Sequence, residues 1–315
     1  MTPLPLYRIR LTLLAPLGTK LTSGTLFGHL CWAVRDRDGE AGLTQWLGSQ
    51  ATAPWLISDG FPKGLLPRPL IRPSARRPSS ASVHARTLAE ADDEKKRRRR
   101  AWLRVDDFLK LRGDLSEDRL LPHLVETPWH TEEQRLAHNA IDRQTATTPE
   151  SGGLFFVDED WSFTEEPSRD IYVRTAADVE EVRSLFGWIG GWGYGRDATW
   201  GRGRFTVDRV EPVPTLDAAT GNRRLSLSHG TLTTNMRNAR YKLAPHFGKV
   251  GSEMAARLTR PWKLPLLLVR PGTTFQPVDA GPFGELLAGV HQERADILHD
   301  ARHLVVPFNE VEATP

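Results

Sequence analysis

The sequence predicts an α+β protein built on antiparallel sheets, and three observations carry that expectation. Strand-like and helix-like segments of the first two-thirds follow the order strand, helix, insert, strand, helix, glycine-rich loop, strand. Beyond a Pro212-Val-Pro linker, strand-like segments outnumber helical ones. The chain has 315 residues, 39% of them hydrophobic, which suits a water-soluble fold with two well-formed cores.

The elements can be justified in order. Tyr7–Leu14 (YRIRLTLL) alternates apolar and polar residues and reads as a strand rather than a leader peptide. Thr22 or Ser23 then caps a helix through Val34, with Leu26, Phe27, Leu30, Cys31 and Val34 on one face. Trp55-Leu-Ile-Ser is a short strand. Pro62–Pro78 is Pro- and Arg-rich and extended, and 75–84 reads as a loop. Thr87, with Glu90 at the capping-box position, begins a helix running toward Lys110. Residues 127–156 are polar and turn-rich until Leu154-Phe-Phe-Val. Thr175 caps a helix whose apolar face is Val179, Val182, Phe186 and Ile189; the glycine loop and a strand from Arg204 follow. Arg224–His229, Tyr241–Phe247, Leu264–Arg270 and His303–Pro307 read as strands, and Pro282–Val290 as a helix.

Charge is unevenly placed. The net value is +3, yet Arg68–Arg104 holds twelve bases and four acids, while the other residues hold thirty bases and thirty-five acids. One segment, with Lys95–Arg100 at its centre, therefore carries the basicity, as in chains that meet nucleic acid. The alternative is a solvated helix face paired in part with the acids one turn upstream. A single cysteine, Cys31, excludes an internal disulfide and suits a reducing cytoplasm; its apolar neighbours make it a buried, inert thiol. No apolar run approaches the roughly 20 residues of a membrane helix.

Between Gly187 and Gly203, seven of seventeen residues are glycine, interleaved with Arg196, Arg202, Tyr194 and Trp200. Glycine permits positive φ and removes the side chain that would hold a phosphate away. Gly193, Gly195, Gly201 and Gly203 are expected to present N–H groups to phosphates, and Arg196 and Arg202 to pair with them. Tyr194 and Trp200 offer flat faces for bases. The alternative is a tight helix-to-strand connection that needs glycine for packing alone. The loop leads into a strand, not a helix, which argues against a dinucleotide-binding turn. No P-loop, nucleophile elbow or cysteine pair occurs. His299 and His303 stand four apart, which reads as a surface pair on a helix rather than a zinc site. His29 and His138 are the histidines placed near the expected RNA surface, where a general base would have to come from.

Four segments together resemble the RAMP-superfamily subunit that caps the crRNA 5′ end in type III-A (Csm) CRISPR effector complexes. They are Leu21-Thr-Ser-Gly-Thr-Leu-Phe-Gly-His-Leu-Cys, Asp59-Gly-Phe-Pro-Lys-Gly-Leu-Leu-Pro-Arg-Pro, Asn139-Ala-Ile-Asp-Arg-Gln-Thr with Gly152-Gly-Leu-Phe, and Gly190–Phe205. The basic helix running into Trp102-Leu-Arg-Val-Asp-Asp-Phe-Leu also has a counterpart there. Two departures stand out: Gly24 where the family carries Asp, and Ala198-Thr199-Trp200 where it carries Ser after Arg-Asp, which moves the loop hydroxyl to Thr199.

The resemblance implies two ferredoxin-like (RRM-like) domains, 1–213 and 214–315, the first with a basic insertion at about 68–110 and a thumb-like segment at about 127–156. It implies a non-catalytic scaffold, without cofactor or metal, that grips the 5′ tag of crRNA. The large cyclase-domain subunit and a backbone RAMP subunit are its partners, target RNA is met indirectly, and no membrane is involved. The expected RNA-binding residues are Lys20, Ser23, His138, Asn139, Arg143, Gly193, Tyr194, Gly195, Arg196, Thr199, Trp200, Gly201, Arg202 and Gly203. The rival readings are a RAMP-type endoribonuclease that processes CRISPR transcripts and a basic module that docks an acidic protein.

Overall fold

In the computed structural model of the chain, which describes residues 4–74, 100–130, 133–149, 151–218 and 220–311, the first sheet is organised around the strand Leu6–Leu13. That strand pairs antiparallel with Ser168–Arg174 on one side and Phe205–Pro212 on the other. Leu56–Ile57 and Phe61–Pro62 both pair with Ser168–Arg174 at the far edge. The helix Ser23–Ser49 connects the first two strands, and Val179–Trp192 connects Ser168–Arg174 to Phe205–Pro212. Taken in chain order, the strands lie last, first, third, second across the sheet.

Period-two patterning decides which face is covered. Tyr7, Ile9, Leu11 and Leu13 point to the helices, where they meet Leu26, Phe27, Leu30, Val34, Val182, Leu185, Phe186 and Ile189 in one core. Each such large apolar side chain contributes roughly 1.5–3 kcal/mol when buried. Leu6 and Tyr172 point the other way, into a second core with Leu225, Leu227, Leu304, Val306 and Phe308 of the second sheet. The two halves are thus joined by apolar packing, not by a linker alone.

The second sheet consists of Met236–Arg240, Thr274–Pro277, Arg223–Ser226 and Val305–Phe308, in that spatial order and antiparallel throughout. In chain order this is again last, first, third, second, read from its other edge. Long helices are absent from the described residues of this half. The hairpin Leu243–His246/Leu266–Val269, with a short helix Ser252–Arg257 between its strands, lies in the connection between the paired strands Met236–Arg240 and Thr274–Pro277. The hairpin Gly284–Leu287/His299–Arg302 lies in the crossover from Thr274–Pro277 to Val305–Phe308.

Several expectations change. Pro282–Val290 holds the strand Gly284–Leu287 instead of a helix, because its pairing with His299–Arg302 outweighs local propensity. Trp102–Arg104 is a strand, so the described helix there is only Val105–Leu111. Most of the Lys95–Arg100 run, the 75–84 loop and the Thr87 cap lie outside the described residues. Asp178, not Thr175, caps the second long helix: its carboxylate accepts from the Glu181 N–H at 2.8 Å. The first long helix runs past Val34 to Ser49, with a break at Gly39, whose φ is 75°. Among the described residues no helix is long and apolar enough to cross a membrane.

Candidate nucleic-acid interface

The glycine loop starts where Gly193 takes φ 97° and ends the Val179–Trp192 helix, its N–H donating to the Ile189 carbonyl at 2.8 Å. Its two ends are then tied together, Tyr194 N–H to the Gly203 carbonyl at 2.9 Å. The approach explains the glycine. A Cβ on residue 203 would stand 2.0 Å from the Tyr194 carbonyl oxygen, and its φ is 66°. The loop also locks onto the chain around residues 16–20. Gly203 N–H donates to the Pro16 carbonyl at 2.9 Å, and Arg196 N–H to the Thr19 hydroxyl at 3.1 Å.

These bonds correct the expectation that the loop N–H groups turn toward phosphates. Gly195 N–H donates to His29 Nε2 at 2.9 Å and Gly201 N–H to the Ala198 carbonyl at 3.0 Å, so all four glycine donors are engaged inside the protein. His29 is thereby an internal acceptor, and burial pushes its imidazole down to about 4. Tyr194 is also not a stacking face. It is fully buried, and its hydroxyl donates to the Lys20 carbonyl at 2.8 Å while accepting from Thr22 N–H at 3.0 Å. Ser23 is buried as well, its hydroxyl donating to the His229 carbonyl at 3.2 Å.

What the loop exposes is side chains. Trp200 is 56% exposed, and Thr199 and Arg196 are exposed beside it. Arg196 pairs with Asp197 at 3.1 Å. Arg202 faces inward, its Nε 2.5 Å from the carboxylate of buried Glu159. That carboxylate lies on a hairpin, Glu133–Asn139 paired with Leu154–Asp160, so the loop and the hairpin are fastened to each other.

The segment at about 127–156, expected to be a thumb-like hairpin, does hold a hairpin, which runs from Glu133 to Asp160 and so ends four residues later than expected. Its base is anchored by reciprocal backbone bonds between Leu17 and Asp160 at 3.0 and 2.9 Å. Along it, the rings of Trp200, His138 and Phe155 form a row with centroids 5.5 Å apart, the His138–Phe155 pair being nearly parallel. Ile141, Leu154 and Phe156 are exposed, and Arg135 lies over the Phe156 ring at 5.3 Å. Asn139 is bonded to the Thr148 hydroxyl at 2.7 Å, which holds the hairpin end instead of leaving its amide open. Arg143 is exposed in the turn. Lys20 is exposed on the adjoining segment, 3.5 Å from Glu133. The structure therefore gathers Lys20, His138, Arg143, Arg196, Thr199 and Trp200 on the loop and hairpin, while Ser23, Tyr194 and Arg202 serve the framework.

Sequence reasoning placed nothing from 214–315 in the site. The fold brings His229, His246, Arg270 and His299 to a cavity that Lys20 also lines. The His299/His303 spacing misled, because both are buried in or beside the strand His299–Arg302 rather than exposed on a helix. A strand buried on both faces shows no alternation that would have revealed it. Cys31 is half-buried, and burial pushes its thiol up to about 12. Among the described residues no group of three or more His, Cys, Asp or Glu is placed to hold a metal.

The sequence matches no family model. It matches no curated protein either. Solved structures do match. The chain is 14% identical to a chain in the crystal structure of a Csm1–Csm4 cassette in complex with cA3, covering 98% of this chain and 99% of that one, with a TM-score of 0.58. Against the same cassette with pppApA the identity is 15%, the coverage 97% and 99%, and the TM-score 0.57. Against the Csm3–Csm4 subcomplex of the type III-A CRISPR-Cas interference complex the identity is 13%, the coverage 96% and 99%, and the TM-score 0.53. Over nearly its whole length, the chain shares its fold with chains of these Csm1–Csm4 and Csm3–Csm4 assemblies.

Proposed function

We propose that this chain is a non-catalytic crRNA-binding subunit of a type III CRISPR interference assembly in the cytoplasm. It grips the 5′ tag and bridges a large subunit to the backbone subunits. The observation that carries this reading is the whole-length likeness in fold to chains of Csm1–Csm4 and Csm3–Csm4 assemblies. The row Trp200–His138–Phe155, exposed at its two ends and half-buried at His138, with Arg196 and Arg143 nearby, supports it, because aromatic faces beside cations hold a single strand without reading its sequence. We read each half as a ferredoxin-like unit, on the strength of the strand order they share. The Glu133–Asp160 hairpin is the thumb, whose apolar exposure suits a wedge between stacked bases or against a partner.

The grip differs in kind from a glycine cradle, since the loop shapes the surface and its side chains touch RNA. Fluorescence anisotropy with a tag-bearing crRNA tests it. Trp200→Ala removes one stacking face and is expected to weaken binding by roughly 1–3 kcal/mol, with Arg196→Ala adding to that loss and neither lowering the melting temperature. Unchanged affinity in the double variant rejects the site. Incubation of the purified chain with repeat RNA addresses the absence of catalysis: cleavage in a single turnover, lost in His138→Ala, would falsify the scaffold reading.

A further inference from the structure

The cavity between the start of the Ser23–Ser49 helix and the second half has a volume of about 330 Å³. The charged and titratable groups that line it are Lys20, His229, His246, Arg270 and His299, all of them basic types. Asp59 is the neighbouring carboxylate, and it is fully engaged. One oxygen lies 2.6 Å from His229 Nδ1, and the other accepts from the N–H groups of Ser23 and His229 at 3.0 and 3.2 Å. Lys263 adds positive charge behind His246 and His299 while donating to the Leu298 carbonyl at 2.7 Å.

His299 is the informative member. It is 3% exposed, its ring centroid is 4.7 Å from that of His246, and its Nε2 is buried without a hydrogen-bond partner. A buried ring nitrogen left unpaired is unfavourable unless a ligand or water satisfies it. Gly24 makes room for it, since a Cβ there would stand 2.7 Å from His299 Nε2. Five basic side chains, one of them with an orphaned ring nitrogen, and the first turn of a long helix therefore converge on one partly open cavity.

We propose that this cavity binds one phosphate group of a nucleotide, with Arg270 and Lys20 as the charged contacts and His299 Nε2–H as the buried donor. The volume admits a nucleotide-sized body, and Pro245 and Leu268 provide apolar wall beside the basic groups. The cavity adjoins the glycine loop through Lys20, whose carbonyl accepts from Tyr194. The choice of a nucleotide rests on the RNA-binding reading above; the phosphate does not. Its source is either a phosphodiester within a bound strand or a free mononucleotide.

Isothermal titration of the full chain with AMP, adenosine and a short oligoadenylate tests the proposal. AMP or the oligonucleotide is expected to bind, adenosine is not, and Arg270→Gln should weaken the phosphate-bearing ligand about tenfold, the loss of one charge-assisted contact. Far tighter binding of the oligonucleotide than of AMP identifies the strand as the source; equal binding identifies the mononucleotide. Arg270 is exposed, so a variant that melts like the wild type gives a clear reading. Adenosine binding as well as AMP, or unchanged affinity for both phosphate ligands in Arg270→Gln, overturns the proposal. The second result with RNA still bound leaves the RNA reading standing. AMP bound and weakened by Arg270→Gln, with no RNA bound at all, removes that reading and keeps the cavity.

Discussion

The two halves run the same strand order and bury it differently. In the first, two helices lie over one face of the sheet, and the core there is continuous from Tyr7 to Val210. In the second, hairpins occupy the connections between strands, and the clusters confined to that half are small: Met236, Phe275, Phe283 and Val305, and separately Val250, Val290 and Ile297. A two-stranded hairpin covers less apolar surface than a helix of several turns. The second half accordingly leaves Leu243, Phe247, Trp262 and Leu267 exposed. It also buries groups that a helical cover would keep out, namely His299, Asp300, Arg302 and His303 on and beside one strand. The difference teaches that strand order fixes which strands meet, while the connections between them decide where the chain can place polar groups and open surface.

The largest expected effect tests how the halves are fastened. Arg302 and Asp300, each 6% exposed, pair at 2.8 Å, and Arg302 also donates to the Gln50 carbonyl at 3.2 Å in the first half. Arg302→Ala strands a buried carboxylate and should cost about 3–5 kcal/mol, read by urea unfolding. Loss of less than about 1 kcal/mol would mean that the pair does not dock the strand. Next, Leu225→Ala should cost about 2–5 kcal/mol and shift a single transition, because Leu225 sits in the core that both sheets share. Two separated transitions, one unmoved, would show instead that the halves unfold independently.

A smaller effect separates two glycines of one loop. Gly203→Ala meets the Tyr194 backbone and a positive φ, for a loss of roughly 3 kcal/mol. Gly201→Ala, with φ 83° and open space around its Cβ, should lose only about 1 kcal/mol. Equal melting temperatures for the two variants would contradict the closed-loop geometry. The smallest effect is in pH. Burial lowers the His229 imidazolium, but Asp59's charge and hydrogen bond outweigh it, so the group titrates above its ordinary 6.5. A raised folded value means its stabilisation is complete below about pH 6.5 and disappears as pH rises through the folded value. Asp59→Asn should flatten that limb of the stability–pH curve; an unaltered limb would assign it to another group.

Much of the first half was legible because its signals are periodic. Alternation placed the first strand at Tyr7–Leu14, one residue beyond its observed Leu6–Leu13, and the three-four spacing of Val182, Phe186 and Ile189 placed the second long helix, for the physical reason that each element buries one face. The density of glycines located a loop with several positive-φ residues. Tertiary structure decided what those glycines do: their N–H groups bond to Pro16, His29, Ile189 and Ala198, partners of which two lie far away in sequence. It also decided that Tyr194 is a strut and Trp200 a surface, although the two stand six residues apart with the same aromatic chemistry. The second half was hardest to read, because a strand buried on both faces carries no alternation, and neither His299 nor Gly24 has any local reason to be what it is. Each becomes intelligible only when the chain folds and sets the space at Gly24 against the imidazole of His299.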